Sequence, residues 1–316
     1  MSGATIAQAA TPNIAIMARI WWKAVRPFSF PASAMPAVMG ITVAWIKGYD
    51  LSLSLALLTI MAAVAAHAGA NLIQDYFDYT GGIDKPGTFG GSGLLVSGIL
   101  GPRSVFMGSI VCFAIAAFIA VPLIMHAGSA LFWIVLAGFA LGAGYAVPGL
   151  GLKYRAMGDV AVFLAFGVGI TLGSFVVQAK VFDPAPLACG IPFGFLVVAI
   201  LAANNMRDAC DDAKAGVRTL AVIMGGSASR ALYIVIVLAA FAVPIVYVKM
   251  GLLSPGALFI LATLPLAHML TREVWRSTEH DRRAMALAVD RTARLALFYG
   301  AAMTAGMIAW KIVTQA

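Results

Sequence analysis

Two short stretches place paired carboxylates where apolar runs end. NLIQDYFDYTGGID, residues 71–84, puts Asp75, Asp78 and Asp84 after a long apolar run in which His67 is the only readily charged side chain. NNMRDACDDAKAG, residues 204–216, repeats the theme with Asn204, Asp208, Asp211 and Asp212. At about 100° per residue, Asn71, Asp75 and Asp78 fall within about 60° of one another on a helix, and Asn204, Asp208 and Asp212 follow one another at i, i+4 and i+8. Two carboxylates about 6 Å apart repel by roughly 3 kcal/mol at an effective dielectric near 20, and placement inside a membrane helix costs a similar amount again. Such clusters persist only when cations neutralise them. Mg²⁺ is commonly held by one or two carboxylates, with water and phosphate oxygens completing its shell. The two faces therefore read as metal-bearing halves of a diphosphate clamp, with Asp75, Asp78, Asp208 and Asp212 as ligands. Arg26, Lys85, Lys153, Arg155, Arg207, Lys214 and Arg218 are the cationic donors available to a diphosphate beside them.

The elements that must position these residues follow from composition. With 62% hydrophobic residues, 11% charged residues and a mean hydropathy of +0.95, the chain is outside the soluble range. It reads as an all-α polytopic membrane protein, 1–316 forming one domain, with runs of about 20 apolar residues as spans. Nine are expected near 29–46, 53–74, 104–125, 130–148, 158–179, 187–206, 230–248, 253–271 and 294–313. They lack the period-2 alternation of a membrane barrel. Residues 1–18 are expected to be unordered. They are not a cleaved signal, because Arg19, Lys23 and Arg26 lead into a full-length span.

Charge sets the expected orientation. With the N-terminus inside and the C-terminus outside, all of the 21 Lys and Arg residues except Lys47, Lys180, Lys249 and Lys311 lie on the cytoplasmic side. Of the carboxylates only Asp50 and Asp183 fall outside, and the long loops 75–103, 207–229 and 272–293 are all inner. The net charge of +8 is thus a topology signal with some attraction to anionic headgroups of the bilayer, and nucleic-acid binding is not needed to explain it. Cys112, Cys189 and Cys210 show neither a CxxC nor a Cys/His spacing, so neither a disulfide framework nor a zinc site is indicated.

The two motifs resemble those of the UbiA-type intramembrane aromatic prenyltransferases, which carry Asn-x-x-x-Asp-x-x-x-Asp on the second and sixth of nine helices. RPFSFPASAMPAVMG at 26–40, LVSGILGPRSV at 95–105, LKYRAMGDVAVFLAFG at 152–167 and RTLAVIMG at 218–225 extend the resemblance over residues 20–230. Within the family the motifs are most similar to the 1,4-dihydroxy-2-naphthoate polyprenyltransferases of menaquinone biosynthesis. The resemblance implies transfer of a polyprenyl group from an allylic diphosphate to an aromatic acceptor, with two Mg²⁺ ions bridged by the diphosphate. It makes Asn71, Asp75 and Asp78 one metal and diphosphate site and Asn204, Asp208 and Asp212 the other. Lys153, Tyr154 and Arg155 then approach from the loop between the fourth and fifth spans. It further implies a bacterial or archaeal cytoplasmic membrane, with the site facing the cytoplasm. Oligomeric state is not legible.

One departure stands out: the second carboxylate of the first motif is Asp78, one place early, with Tyr79 where Asp is expected. Asp84 either supplies the missing ligand or caps the helix exit. His67, one turn before Asn71, either touches the acceptor or is a hydrogen-bonded core histidine. The glycines of ALGAGYAVPG at 140–149 read as close helix packing, since no strand precedes them and no Lys-Ser/Thr follows. His126, His268 and His280 are isolated, and the stretch from Arg272 to Arg294 reads as an inner surface helix or loop. A 4-hydroxybenzoate acceptor is the rival within the family. A secondary transporter is the rival outside it, although its carboxylates are expected near the midplane on interrupted helices. The Asp-x-x-Asp-Gly…Asp-x-x-x-Asp signature of CDP-alcohol phosphotransferases does not occur.

Overall fold

The computed structural model describes residues 13–147, 151–278 and 281–315. His280, the last two residues of the glycine-containing stretch 140–149, and residues 1–12 of the expected unordered start lie outside them. Among the described residues nine helices are long and apolar enough to cross a membrane: Pro27–Ile46, Leu53–Thr80, Pro102–Ala127, Ser129–Ala146, Gly158–Ala179, Leu187–Lys214, Gly226–Lys249, Pro255–Arg276 and Arg282–Gln315. These are the first to ninth spans below.

Both motif-bearing helices outrun their expected ends, the second span continuing to Thr80 and the sixth to Lys214. Hydropathy ends where the acids begin, but nothing in those segments breaks a helix. The stops come later, just before Gly82 and Gly216, whose φ values of +71° and +74° suit glycine at a helix exit. The carboxylates therefore sit on helix and not in loops.

Residues 14–18, expected to be unordered, form the first turns of a helix, Ile14–Ala24. Asn13 caps it by accepting from the Ala15 amide at 3.0 Å. Its Trp21 lies against Gly108 of the third span, and its Ile14, Ile16 and Trp22 are exposed. A second correction concerns 272–294. Most of this stretch belongs to the eighth and ninth spans, and residues 277–281 alone connect them. Arg291 ties the ninth span to the eighth by pairing with Glu273, and Arg294 pairs with Asp290 one turn earlier on its own helix.

The second span packs mainly on the third, the sixth lies between the seventh and ninth, and the first sits between the fifth and ninth. The core is apolar with a few satisfied polar groups. Buried Tyr299 donates to the Ala240 carbonyl at 2.5 Å, and Tyr233 meets Thr292 Oγ1 at 2.7 Å. At one end of the bundle Lys47 pairs with Asp183 at 2.7 Å, and Lys311 Nζ donates to the Trp45 and Ile46 carbonyls at 2.6 and 2.9 Å. At the other end the motif helices meet the loops 81–101, 151–157 and 215–225. There the Arg218 amide donates to the Tyr154 carbonyl at 3.3 Å.

The eighth and ninth spans approach so closely that a Cβ on Gly306 would stand 2.0 Å from the Gly256 carbonyl oxygen, and one on Gly256 2.1 Å from that of Gly306. Overpacking there costs about 1–3 kcal/mol. Gly306→Leu should lower the midpoint of thermal unfolding in detergent by several degrees. Gly138→Leu, whose Cβ meets nothing within 4 Å, should leave it unchanged.

Candidate active site

The first motif is a set of carboxylates held by groups from distant segments. Asp75, 3% exposed, is paired with Arg26 and accepts from the Ser92 amide at 2.8 Å. Asp78, 2% exposed, accepts from Lys153 Nζ at 2.5 Å, from Tyr154 Oη at 3.2 Å and from Gln74 Nε2 at 3.3 Å. Burial works against the Lys153 ammonium, but the Asp78 charge outweighs it and holds the pKa above the usual lysine value. Burial and the same carboxylate push the Tyr154 phenol up. Asn71 donates to the Val25 carbonyl at 3.0 Å and to Ser29 Oγ at 3.2 Å, which fixes the chain on either side of Arg26. Arg26 itself has φ +55°, a left-handed backbone that turns its side chain onto Asp75.

The second motif faces the first. Arg207 grips Asp208 through both carboxylate oxygens, at 2.8 and 2.6 Å, and Arg282 from the start of the ninth span pairs with Asp211. Asp78, Asp84, Asp208, Asp211 and Asp212 line one cleft of about 320 Å³, counting its mouth, together with Lys153 and the Gly90-Gly91 backbone. That backbone lies so close that a Cβ on Gly90 would stand 2.0 Å from Asp84 Oδ1. Three of the five carboxylates have cationic partners: Lys153, Arg207 and Arg282. Among the described residues, Asp84 and Asp212 form neither an ion pair nor a side-chain hydrogen bond. Burial, then the Asp78 charge, raise the Asp84 pKa to about 6. The cleft thus holds more negative charge than its own cations balance.

Gln74 and Asn204 line this cleft and also a second, larger space of about 870 Å³, counting its mouth. This chamber runs between the first, second, fourth, fifth, sixth and ninth spans. Arg26, Ser29, His67 and Asn71 give it a polar end, and residues such as Leu141, Ala165, Phe166, Val197 and Leu201 make the rest apolar. An acidic pocket adjoining an apolar chamber can hold the two ends of an amphiphile.

Sequence reasoning and geometry agree on Arg26, Asn71, Asp75, Asp78, Asp84, Lys153, Tyr154, Asn204, Arg207, Asp208 and Asp212, which are brought together. They differ on four residues. Lys85, Arg155, Lys214 and Arg218 are exposed and outside both linings, because the loop turns and the helix end that carry them face away from the cleft. Tyr79, at the shifted motif position, packs under the 81–101 loop. Arg282 went unread: it pairs with Asp211 and also lies over the Phe89 ring at 5.1 Å, but no local pattern links it to residues 71 positions away. Gln74 was visible at i−4 to Asp78.

The sequence pattern of the UbiA prenyltransferase family matches residues 33–310. UbiA prenyltransferase domain-containing protein 1 of Xenopus tropicalis is 30% identical over 287 residues, covering 90% of this chain and 80% of that protein. The Gallus gallus protein of the same name is 31% identical over 282 residues, covering 88% and 81%. Among solved structures, the apo UbiA homologue from Aeropyrum pernix K1 superimposes with a TM-score of 0.65 at 16% identity, covering 87% of this chain and 97% of that one. The UbiA homologue from Archaeoglobus fulgidus bound to DMAPP and Mg²⁺ gives 0.58 at 16% identity, covering 90% and 99%. The chain therefore belongs to the UbiA prenyltransferase family and is an enzyme of that class.

The charge balance gives opposite expectations for two buried residues. Removing one partner of a buried ion pair costs about 3–5 kcal/mol, whereas neutralising an unpaired buried carboxylate relieves repulsion. Lys153→Met should lower thermal stability in detergent, and Asp212→Asn should leave it equal or raise it. Differential scanning fluorimetry of both variants checks the signs.

Proposed function

We propose that the protein transfers a polyprenyl group from an allylic polyprenyl diphosphate to an aromatic acceptor, with Mg²⁺ at the acidic cleft. One observation carries this reading: facing carboxylates with two members uncompensated, in a cleft that shares Gln74 and Asn204 with an adjoining apolar chamber. The donors of the cleft are oxygens, and among the described residues no three His, Cys, Asp or Glu side chains form a ready-made cage. That fits Mg²⁺, which takes few carboxylates and completes its shell with water and phosphate. Asp78, Asp84, Asp208 and Asp212 would hold it, with Asp75 behind Arg26 as the further ligand. The DMAPP and Mg²⁺ bound to the Archaeoglobus fulgidus homologue support the same reading. Mg²⁺ bound there neutralises a diphosphate and makes it a better leaving group.

The residues of this chain then divide the work. Arg26 and Lys153 are the donors for diphosphate oxygens as charge develops on the leaving group. The allylic C–O bond breaks with its electron pair going to the diphosphate, and an electron-rich ring carbon attacks the allylic cation. The apolar walls exclude water from that cation. For the acceptor we propose 1,4-dihydroxy-2-naphthoate, which loses CO₂ from the attacked carbon, the C–CO₂ electron pair returning to the ring, to give the hydroquinone demethylmenaquinol. This choice rests on the resemblance of both motifs to that branch, and 4-hydroxybenzoate is the alternative. We place the cleft on the cytoplasmic side, because nearly all Lys and Arg residues gather at that end. The animal origin of the matched relatives lends no support to a specifically bacterial or archaeal membrane.

Asp75→Asn and Asp208→Asn should each reduce turnover at least about a hundredfold while leaving folded, membrane-inserted protein. Near-normal activity in both would contradict the assignment. Purified enzyme offered both acceptors with a polyprenyl diphosphate should yield a demethylmenaquinol mass, or that of the quinone formed from it by air during work-up, that disappears with EDTA. A prenylated hydroxybenzoate would change the acceptor and keep the mechanism.

A further inference from the structure

Among the polar groups of the chamber wall that diphosphate handling does not use is His67. His67 lies one turn before Asn71, its ring set edge-on between Phe30 and Phe166 at centroid distances of 5.9 and 4.8 Å. Nδ1 is 3.2 Å from Ser33 Oγ, and Nε2 is 3.4 Å from Ser29 Oγ. Each serine hydroxyl lies closer to a backbone carbonyl than to the imidazole, which favours the carbonyl as the acceptor of its proton. Ser33 Oγ donates to the Phe30 carbonyl at 3.0 Å, and Ser29 Oγ to the Arg26 carbonyl at 2.8 Å.

A hydroxyl has one proton to give. Ser33 then accepts from His67, which puts the imidazole proton on Nδ1. Nε2 is left with a lone pair facing an oxygen whose single proton points elsewhere. Ser29 is itself engaged a third time, accepting from Asn71 at 3.2 Å. The contact of Nε2 with Ser29 Oγ, at 3.4 Å, is the longer of the two the ring makes with these serines. Nε2 is also at the ring edge nearer the chamber, because Ser29 lines that space with His67 and Ser33 does not. A part-buried nitrogen acceptor with so long a contact is incompletely satisfied, and a hydroxyl donor brought to it gains a bond.

We propose that His67 Nε2 accepts a hydrogen bond from a ring hydroxyl of the aromatic acceptor and so orients the ring toward the cleft. The proposal rests on the prenyl-transfer reading and narrows it: the acceptor must present a free hydroxyl at that point, as a phenol or hydroquinone does and a quinone carbonyl or an ether does not. The same bond favours the chemistry. When the ring attacks the allylic cation, positive charge spreads onto the hydroxyl oxygen, its proton becomes more acidic, and the bond to Nε2 strengthens in the transition state.

The test is a chemical double-mutant cycle on the purified enzyme, using the parent acceptor and each of its mono-O-methyl ethers. One ether should lose about ten- to a hundredfold in kcat/KM with the unaltered enzyme, as expected for a buried acceptor left without its donor. His67→Phe should lose a similar factor with the parent acceptor and no more than about a further twofold with that ether, the two losses not adding because they remove one bond. The KM for the prenyl diphosphate should not change in either case. His67→Gln, whose amide oxygen can accept, should recover part of the loss and serves in place of His67→Phe if that variant does not fold. A full ether penalty persisting in the variant, or parallel rises in both KM values, would overturn the assignment while leaving prenyl transfer intact. Absence of any product from the unaltered enzyme would instead overturn the functional reading, and this inference with it.

Discussion

The cleft end of this protein is organised by the cost of burying negative charge. Two unit charges 4 Å apart interact by about 4 kcal/mol at an effective dielectric near 20, so carboxylates crowded at two helix ends need partners nearby. All but one of the partners come from far along the chain. Arg26 precedes the first span, Lys153 lies in the connection before the fifth, Arg207 stands beside its own acid, and Arg282 opens the ninth span. The pairings of Arg26, Lys153 and Arg282 each pin a neighbouring segment onto the motif helices, so those segments are held in part by the acids they cover. The compensation is incomplete at Asp84 and Asp212. Stability alone does not ask for two uncompensated carboxylates, and a site that must take up cationic charge does.

The position of the cleft matters as much as its charge. Gln74 and Asn204 line both the cleft and the apolar chamber, so the two spaces adjoin, one suited to a diphosphate and the other to a hydrocarbon chain. The bond that breaks in the proposed reaction joins those two moieties. Polar groups at one end of the chamber, Asn71 and the Ser29–His67 pair among them, are then placed to meet the second substrate beside that bond.

Hydropathy carried the membrane architecture clearly, because each span is a continuous run whose length the bilayer dictates. Span ends were less legible. Acidic residues lower hydropathy without breaking a helix, so the second and sixth spans looked short, and the arginines of 282–294 disguised the start of the ninth. Asp75, Asp78, Asp208 and Asp212 were legible because helical spacing puts them on one face in a chain with few acids. Their cationic partners were legible only by type. Nothing local separates Lys153, which reaches Asp78, from Lys85, which faces solvent, since the choice depends on how a loop folds back. Arg282 was invisible for the same reason, and the state of His67 depends on where two serine protons go.

The central claim is that the cleft takes a diphosphate only together with a divalent cation. Binding of a non-reactive prenyl thiodiphosphate to the purified protein, measured by calorimetry with and without Mg²⁺, tests it without requiring any acceptor. The account predicts saturable binding with Mg²⁺ that weakens at least about tenfold, or 1.4 kcal/mol, when EDTA replaces the metal. Equal affinity in both conditions would show that the basic residues alone bind the diphosphate, and would contradict the role assigned to the facing carboxylates.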